Sequence, residues 1–150
     1  YFRHREPLDS ATPSPSGIAA QVLVKLSWHF ARDDLRRAAE RIVVAESGHL
    51  KSHPWACTSL LEAAQMLRRH PVELVLISDG STPEFDAVLA KIFLPRRIFA
   101  RHDFSTGDQP PFPALIGKQL IDGTTALYIC HNFACREPII DPEQVVAMLE

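Results

Sequence analysis

The residues with the clearest chemical potential are Cys130 and Cys135, in the stretch LYICHNFACREPIIDPEQ (127–144). The C-x4-C spacing is not the C-x-x-C that opens a redox-active helix, which disfavours a thioredoxin-type mechanism for these two thiols. A zinc site needs two further ligands. His131 is adjacent in sequence but on a strand points to the opposite face, and His102 can contribute only if the fold brings it close. Three readings remain: two small buried hydrophobes packing a turn, a reversible disulfide, or part of a metal site. The packed pair is favoured, because free cysteine is among the most buried residue types.

Three further places could hold a ligand. Gly80, Ser81 and Thr82 follow an apolar run and precede a helix, where strand ends and helix N-termini attract anions. Asp79 opposes an anion there, and a plain turn with a helix cap explains the same residues. Ser14 and Ser16 are helix caps first and candidates for a pocket mouth second. His49 and His53 stand four apart, but Gly48 and Pro54 flank them, so they read as loop residues. No Ser-His-Asp order, His-Glu-x-x-His or paired-carboxylate motif stands out, so no catalytic residue and no metal or cofactor is assigned.

Elements that would position these groups follow from periodicity. Ser14 or Ser16 caps a first helix with Pro15 in its first turn and Ile18, Val22 and Leu26 along one stripe. Asp33 or Asp34 caps a second, with Leu35, Ala38, Ala39, Ile42 and Val43 at i, i+3, i+4, i+7, i+8, stopped by Gly48. A third starts near Pro54, with a stripe of Cys57, Leu60, Leu61, Ala64 and Leu67 running to the basic Arg68-Arg69-His70. The period then changes. VELVLIS (72–78) and RRIFAR (96–101) read as strands around a helix begun by Thr82-Pro83, with Phe85, Val88, Leu89, Ile92 and Phe93 on one face. Strand, helix, strand over this length is a βαβ unit. GKQLIDG (117–123) is expected to hold a short strand and an Asp122-Gly123 turn, TALYIC (125–130) a strand, and 141–149 a terminal helix capped by Asp141.

The expected fold is therefore mixed α/β: helical hairpins over 1–70 followed by a small α/β unit over 71–150. Three helices are too few to close a core, so Trp28 and Trp55 are expected to pack against helices outside the chain.

Composition narrows the class. The 150 residues are 46% hydrophobic with a formal charge of −2, and the basic residues form no run, which argues against a nucleic-acid partner. No apolar run approaches the roughly 20 residues of a membrane span. The chain opens YFRHREPLDS without an initiator Met or signal sequence, and is expected to be part of a longer protein. Three cysteines, an odd number, suggest a reducing, cytoplasmic setting.

ATPS followed by GIAA, then FLPRRIF, then GKQLIDGTTALYICHNFACREPIIDPEQ resembles the C-terminal part of the YyaL-like thioredoxin domain-containing family, relatives of spermatogenesis-associated protein 20. The matching positions are Gly117, Lys118, Asp122, Gly123, Thr125, Ala126, Tyr128, Cys130, Cys135, Pro138, Asp141, Pro142 and Glu143. The resemblance covers essentially the whole chain and is strongest in this C-terminal string. It implies the end of an (α/α)6 toroid of the six-hairpin glycosidase type, followed by an appended α/β unit, with the thioredoxin-like domain and most of the toroid outside this chain. One departure falls at the implied pocket mouth, where the family's Gly and Asn are replaced by Pro15 and Ser16. Two functions follow. In one, the chain ends a carbohydrate-processing or carbohydrate-binding toroid, inactive alone, whose partner is the missing N-terminal part. In the other, the α/β unit is a non-catalytic docking module with Cys130 and Cys135 in redox or metal contact.

Overall fold

The computed structural model describes residues 6–108, 112–132 and 134–149. They hold six α-helices and a four-stranded sheet, and the chain divides into two compact units, Tyr1–His70 and Pro71–Glu150.

The first unit is helical. Helix α1 (Pro15–His29) starts where Ser14 Oγ accepts the Gly17 N–H at 3.1 Å. Ser14 is thus the cap, while Ser16 lies inside the first turn. Helix α2 (Asp33–Ala45) has Arg32, not an aspartate, at its cap position. Asp33 and Asp34 occupy the first turn, where their charges suit the positive end of the helix dipole. Gly48 does not stop this helix. Glu46 ends it, and Gly48 sits inside the short α3 (Ser47–Ser52). Pro54–Ala56 form a single 3-10 turn, and α4 (Thr58–Arg68) begins four residues later than its proline suggests. Its buried side is Ser59, Leu60, Ala63 and Met66, so the face is rotated from the expected stripe and Leu61 is exposed. That rotation brings α4 close to α1: a Cβ on Gly17 would fall 2.0 Å from Ser59 Oγ. Trp28 is buried with its ring edge-on to His70, whereas Trp55 is exposed.

The second unit is built on the sheet, in the order β2-β1-β3-β4. Strand β1 (Val72–Ser78) is central and apolar. It pairs in parallel with β2 (Arg97–Asp103) and antiparallel with β3 (Ala126–His131). Helix α5 (Pro83–Lys91) lies between β1 and β2 in sequence and ends before Ile92, leaving Phe93 exposed rather than on the apolar face. Alternation along β1 builds two apolar layers. Leu74 and Leu76 pack with Leu127, Ile129, Phe85 and Leu89, together with Val145 of α6 (Gln144–Leu149). Val75 and Ile77 pack with Ala100, Leu115, Ala126, Tyr128 and Cys130.

Two turns lead into the site. Asp122 and Gly123 both have positive φ (49° and 74°) and join a single bridge between Ile121 and Thr124, in place of a longer strand. Positive φ at both central residues is the condition for a type I′ turn. Asn132, at φ 51°, opens the tight return from β3 to β4 (Ala134–Cys135), a strand too short for the sequence pattern to reveal.

Candidate functional site

Strand register decides what the two cysteines become. Cys130 of β3 and Cys135 of β4 are directly opposed across the hairpin and are joined as a disulfide. The reading of two packed free thiols is therefore corrected: the tight turn at Asn132 makes the residues cross-strand neighbours, the position from which two sulfurs can bond. The pair is also asymmetric. Cys130 is 1% exposed within the apolar layer, whereas Cys135 is exposed on the edge strand. Bonded sulfurs do not act as thiolate metal ligands, and no group of three or more His, Cys, Asp or Glu among the described residues is placed to hold a metal. His131 is exposed, and His102 is buried against Phe104, four residues along β2 from the row that holds Cys130.

Glu73 is the residue that sequence reading passed over. It stands within the apolar run of β1, opposite Cys130, and is 4% exposed. The signal was available: one carboxylate in VELVLIS faces the same side as Val75 and Ile77. Lys118 supplies a neighbouring cation. Burial pushes its ammonium down from the ordinary value, and the charge of Glu73 pulls it back up. Its Nζ donates to the Ala114 carbonyl at 2.6 Å.

Ser14 belongs to a second arrangement, in the helical unit. The Asp9 carboxylate accepts hydrogen bonds from the backbone N–H groups of Ser14 and Ser59, both at 2.8 Å, from Thr58 Oγ1 at 2.7 Å and from Ser59 Oγ. Burial raises the Asp9 carboxyl, but these donors, led by the Ser59 hydroxyl, outweigh it and hold the group well below the usual carboxylate range. Beside this hub is a cavity of about 330 Å³ lined by Asp9, Thr12, Gln21, Thr58, Ser59 and Glu62 among others. Ser14 is buried behind the hub, in contact with Ser59 Oγ at 3.2 Å, and Ser16 is half-buried in α1.

At the start of α5, the Gly80 N–H donates to the Asp103 carboxylate at 3.1 Å, and Thr82 Oγ1 bonds Asp86. Ser81 and Thr82 line a cavity of about 270 Å³ with Thr124, Thr125 and Glu84. The protein's own carboxylates thus already occupy the amide and one hydroxyl of this corner.

No protein-family model matches the chain. Among curated proteins it is similar to spermatogenesis-associated protein 20 from Homo sapiens, 23% identical over 155 residues. The alignment covers 99% of this chain and 20% of that protein. The proteins of the same name from Rattus norvegicus and Mus musculus are also 23% identical, over 156 residues. The chain is a distant relative of that family. It spans about a fifth of the length of the relatives it matches. No helix among the described residues is long and apolar enough to cross a membrane.

Proposed function

We propose that the α/β unit presents the Cys130–Cys135 disulfide as a redox-cycling pair for a protein dithiol, within the C-terminal portion of a longer thioredoxin domain-containing protein. One observation carries the reading: the bond joins a buried sulfur to an exposed residue on a two-residue edge strand. Exposed disulfides form the labile, regulatory or catalytic class, whereas structural ones are sheltered. The third cysteine, Cys57, does not compete. It is fully buried, and burial followed by the charges of Asp9 and Glu46 pushes its thiol up, away from the reactive thiolate. The family resemblance supplies a partner in the thioredoxin-like domain of the longer chain. A cytoplasmic setting suits the reading, because disulfides that occur there are in general transient, catalytic or redox-sensing.

Single-cysteine variants test the asymmetry. Cys130→Ser leaves Cys135 free and is expected to be alkylated by maleimide in the native protein. Cys135→Ser leaves Cys130 buried and is expected to resist alkylation until denaturant is added. Equal native rates for the two variants would remove the basis of the reading.

A second reading concerns the helical unit, and its pocket favours it. We place this unit at the end of an (α/α)6 toroid that binds carbohydrate, with the cavity beside Asp9 as part of the sugar site. Hydroxyls, an amide and two carboxylates around one opening suit a polyhydroxylated ligand. Titration of mono- and oligosaccharides against the chain and its Glu62→Gln variant tests it. Saturable binding weakened by the variant is expected; no binding of any sugar by a protein containing the complete toroid refutes it.

A further inference from the structure

We infer that Glu73 is the proton-exchanging group of the Cys130–Cys135 pair, an inference that rests on the redox reading above. Register places Ile98, Glu73, Cys130 and Cys135 in one row across all four strands. Directly opposed residues on an antiparallel pair have Cβ atoms about 5 Å apart, within reach of a carboxylate for a sulfur. Both Glu73 and Cys130 are almost wholly buried.

The placement is costly, which is why it is informative. A carboxylate in an apolar layer opposes folding by several kcal/mol unless it is compensated. Val75, Ile77, Ala100 and Ala126 on the same face show that the layer accepts apolar residues. Lys118 supplies compensating charge. The other titratable groups on this face are His102 and Tyr128, and the Tyr128 hydroxyl is engaged with the Gln119 backbone.

Exchange chemistry gives the carboxyl group a task. A thiolate of the partner dithiol attacks the Cys135 sulfur, and the Cys130–Cys135 bond breaks. Its electron pair leaves on Cys130, which is buried beside a carboxylate and cannot be released as a bare anion without large cost. The Glu73 carboxylate takes a proton from water and passes it to that sulfur, ending as it began. The partner's second thiol loses its proton to solvent and attacks the partner sulfur of the mixed disulfide. The Cys135 thiolate is expelled and takes a proton from water. Two electrons and two protons have moved to the cysteine pair, and the partner has become a disulfide. In the reverse direction the Glu73 carboxylate takes the Cys130 proton, and the resulting thiolate attacks the mixed disulfide at Cys135.

The test uses the whole chain with dithiothreitol as the dithiol, following reduction in H₂O and in D₂O. Glu73→Gln is expected to slow reduction by about tenfold or more, as loss of a general acid does, and to diminish the solvent isotope effect of the native protein. Should the Gln variant fail to fold, Glu73→Asp keeps the carboxyl but withdraws it by one methylene, and a rate several-fold below the native one is expected. A Gln variant, or in its place an Asp variant, that reacts at the native rate with the native isotope effect overturns the inference. If the native disulfide is not reduced at all while the protein stays folded, the redox reading itself has failed, an outcome distinct from a failure of Glu73.

Discussion

Cys130, Cys135 and Asp9 show how neighbours, more than residue type, set chemical character. The two cysteines are bonded because a turn makes them opposed, and they differ because one lies under the sheet's apolar layer and the other on its edge. Asp9 shows the converse, a carboxylate made inert by satisfaction. Its donors hold its folded titration below that of a free aspartate near pH 3.9. The stability it contributes is therefore present above about pH 4 and is lost as pH falls further, when the carboxyl protonates and its acceptor capacity drops. Asp9→Asn removes the charge and is expected to cost about 2 kcal/mol at neutral pH, on the scale of hydrogen bonds to charged groups. Its acid-denaturation curve should also lose part of the native slope, which urea titrations at several pH values would show. The hub could not be read from the sequence, because Asp9 lies 50 residues from Ser59 and only packing of α1 on α4 brings their segments together.

Among the elements, close approach matters as much as apolar pattern. Gly17 lets α1 lie against Ser59. Gly17→Ala would raise intrinsic helix propensity, yet it is expected to destabilise the helical unit by about 1–3 kcal/mol through overpacking. Thermal unfolding of the variant checks the sign. In the sheet, Leu76 is fully buried at the centre of β1, and Leu76→Ala is expected to cost about 2–5 kcal/mol, read from denaturant midpoints. The strands legible in advance were the short apolar runs VELVLIS, RRIFAR and TALYIC, which became β1, β2 and β3. Boundaries were legible where a cap was local, as at Ser14, and not where tertiary contact decided them. Pro54 suits a helix start, but the chain makes a 3-10 turn there and α4 begins only after Cys57, a fully buried residue. Ile92 and Phe93 continue an apolar pattern beyond the end of α5, because Ile92 adopts an extended backbone and closes the helix. Strand β4 has two residues and no pattern to detect, so the disulfide was legible only as a spacing.

For the whole molecule, the chain matches about a fifth of its relatives, and its two units carry different kinds of polar chemistry. The helical unit offers hydroxyls and carboxylates beside a cavity; the α/β unit offers a bonded sulfur pair with a buried acid in line. If the pair cycles while the fold is intact, thiol titration of the native chain before and after brief treatment with a mild reductant reveals it. Three cysteines with one bonded pair leave a single thiol, Cys57, which is buried. Almost no reactive thiol is expected in the untreated native protein and one after denaturation. Two new thiols are expected after reduction, with the circular dichroism spectrum unchanged. A disulfide that resists reduction until the protein unfolds, or three thiols in the untreated denatured chain, would contradict the redox reading.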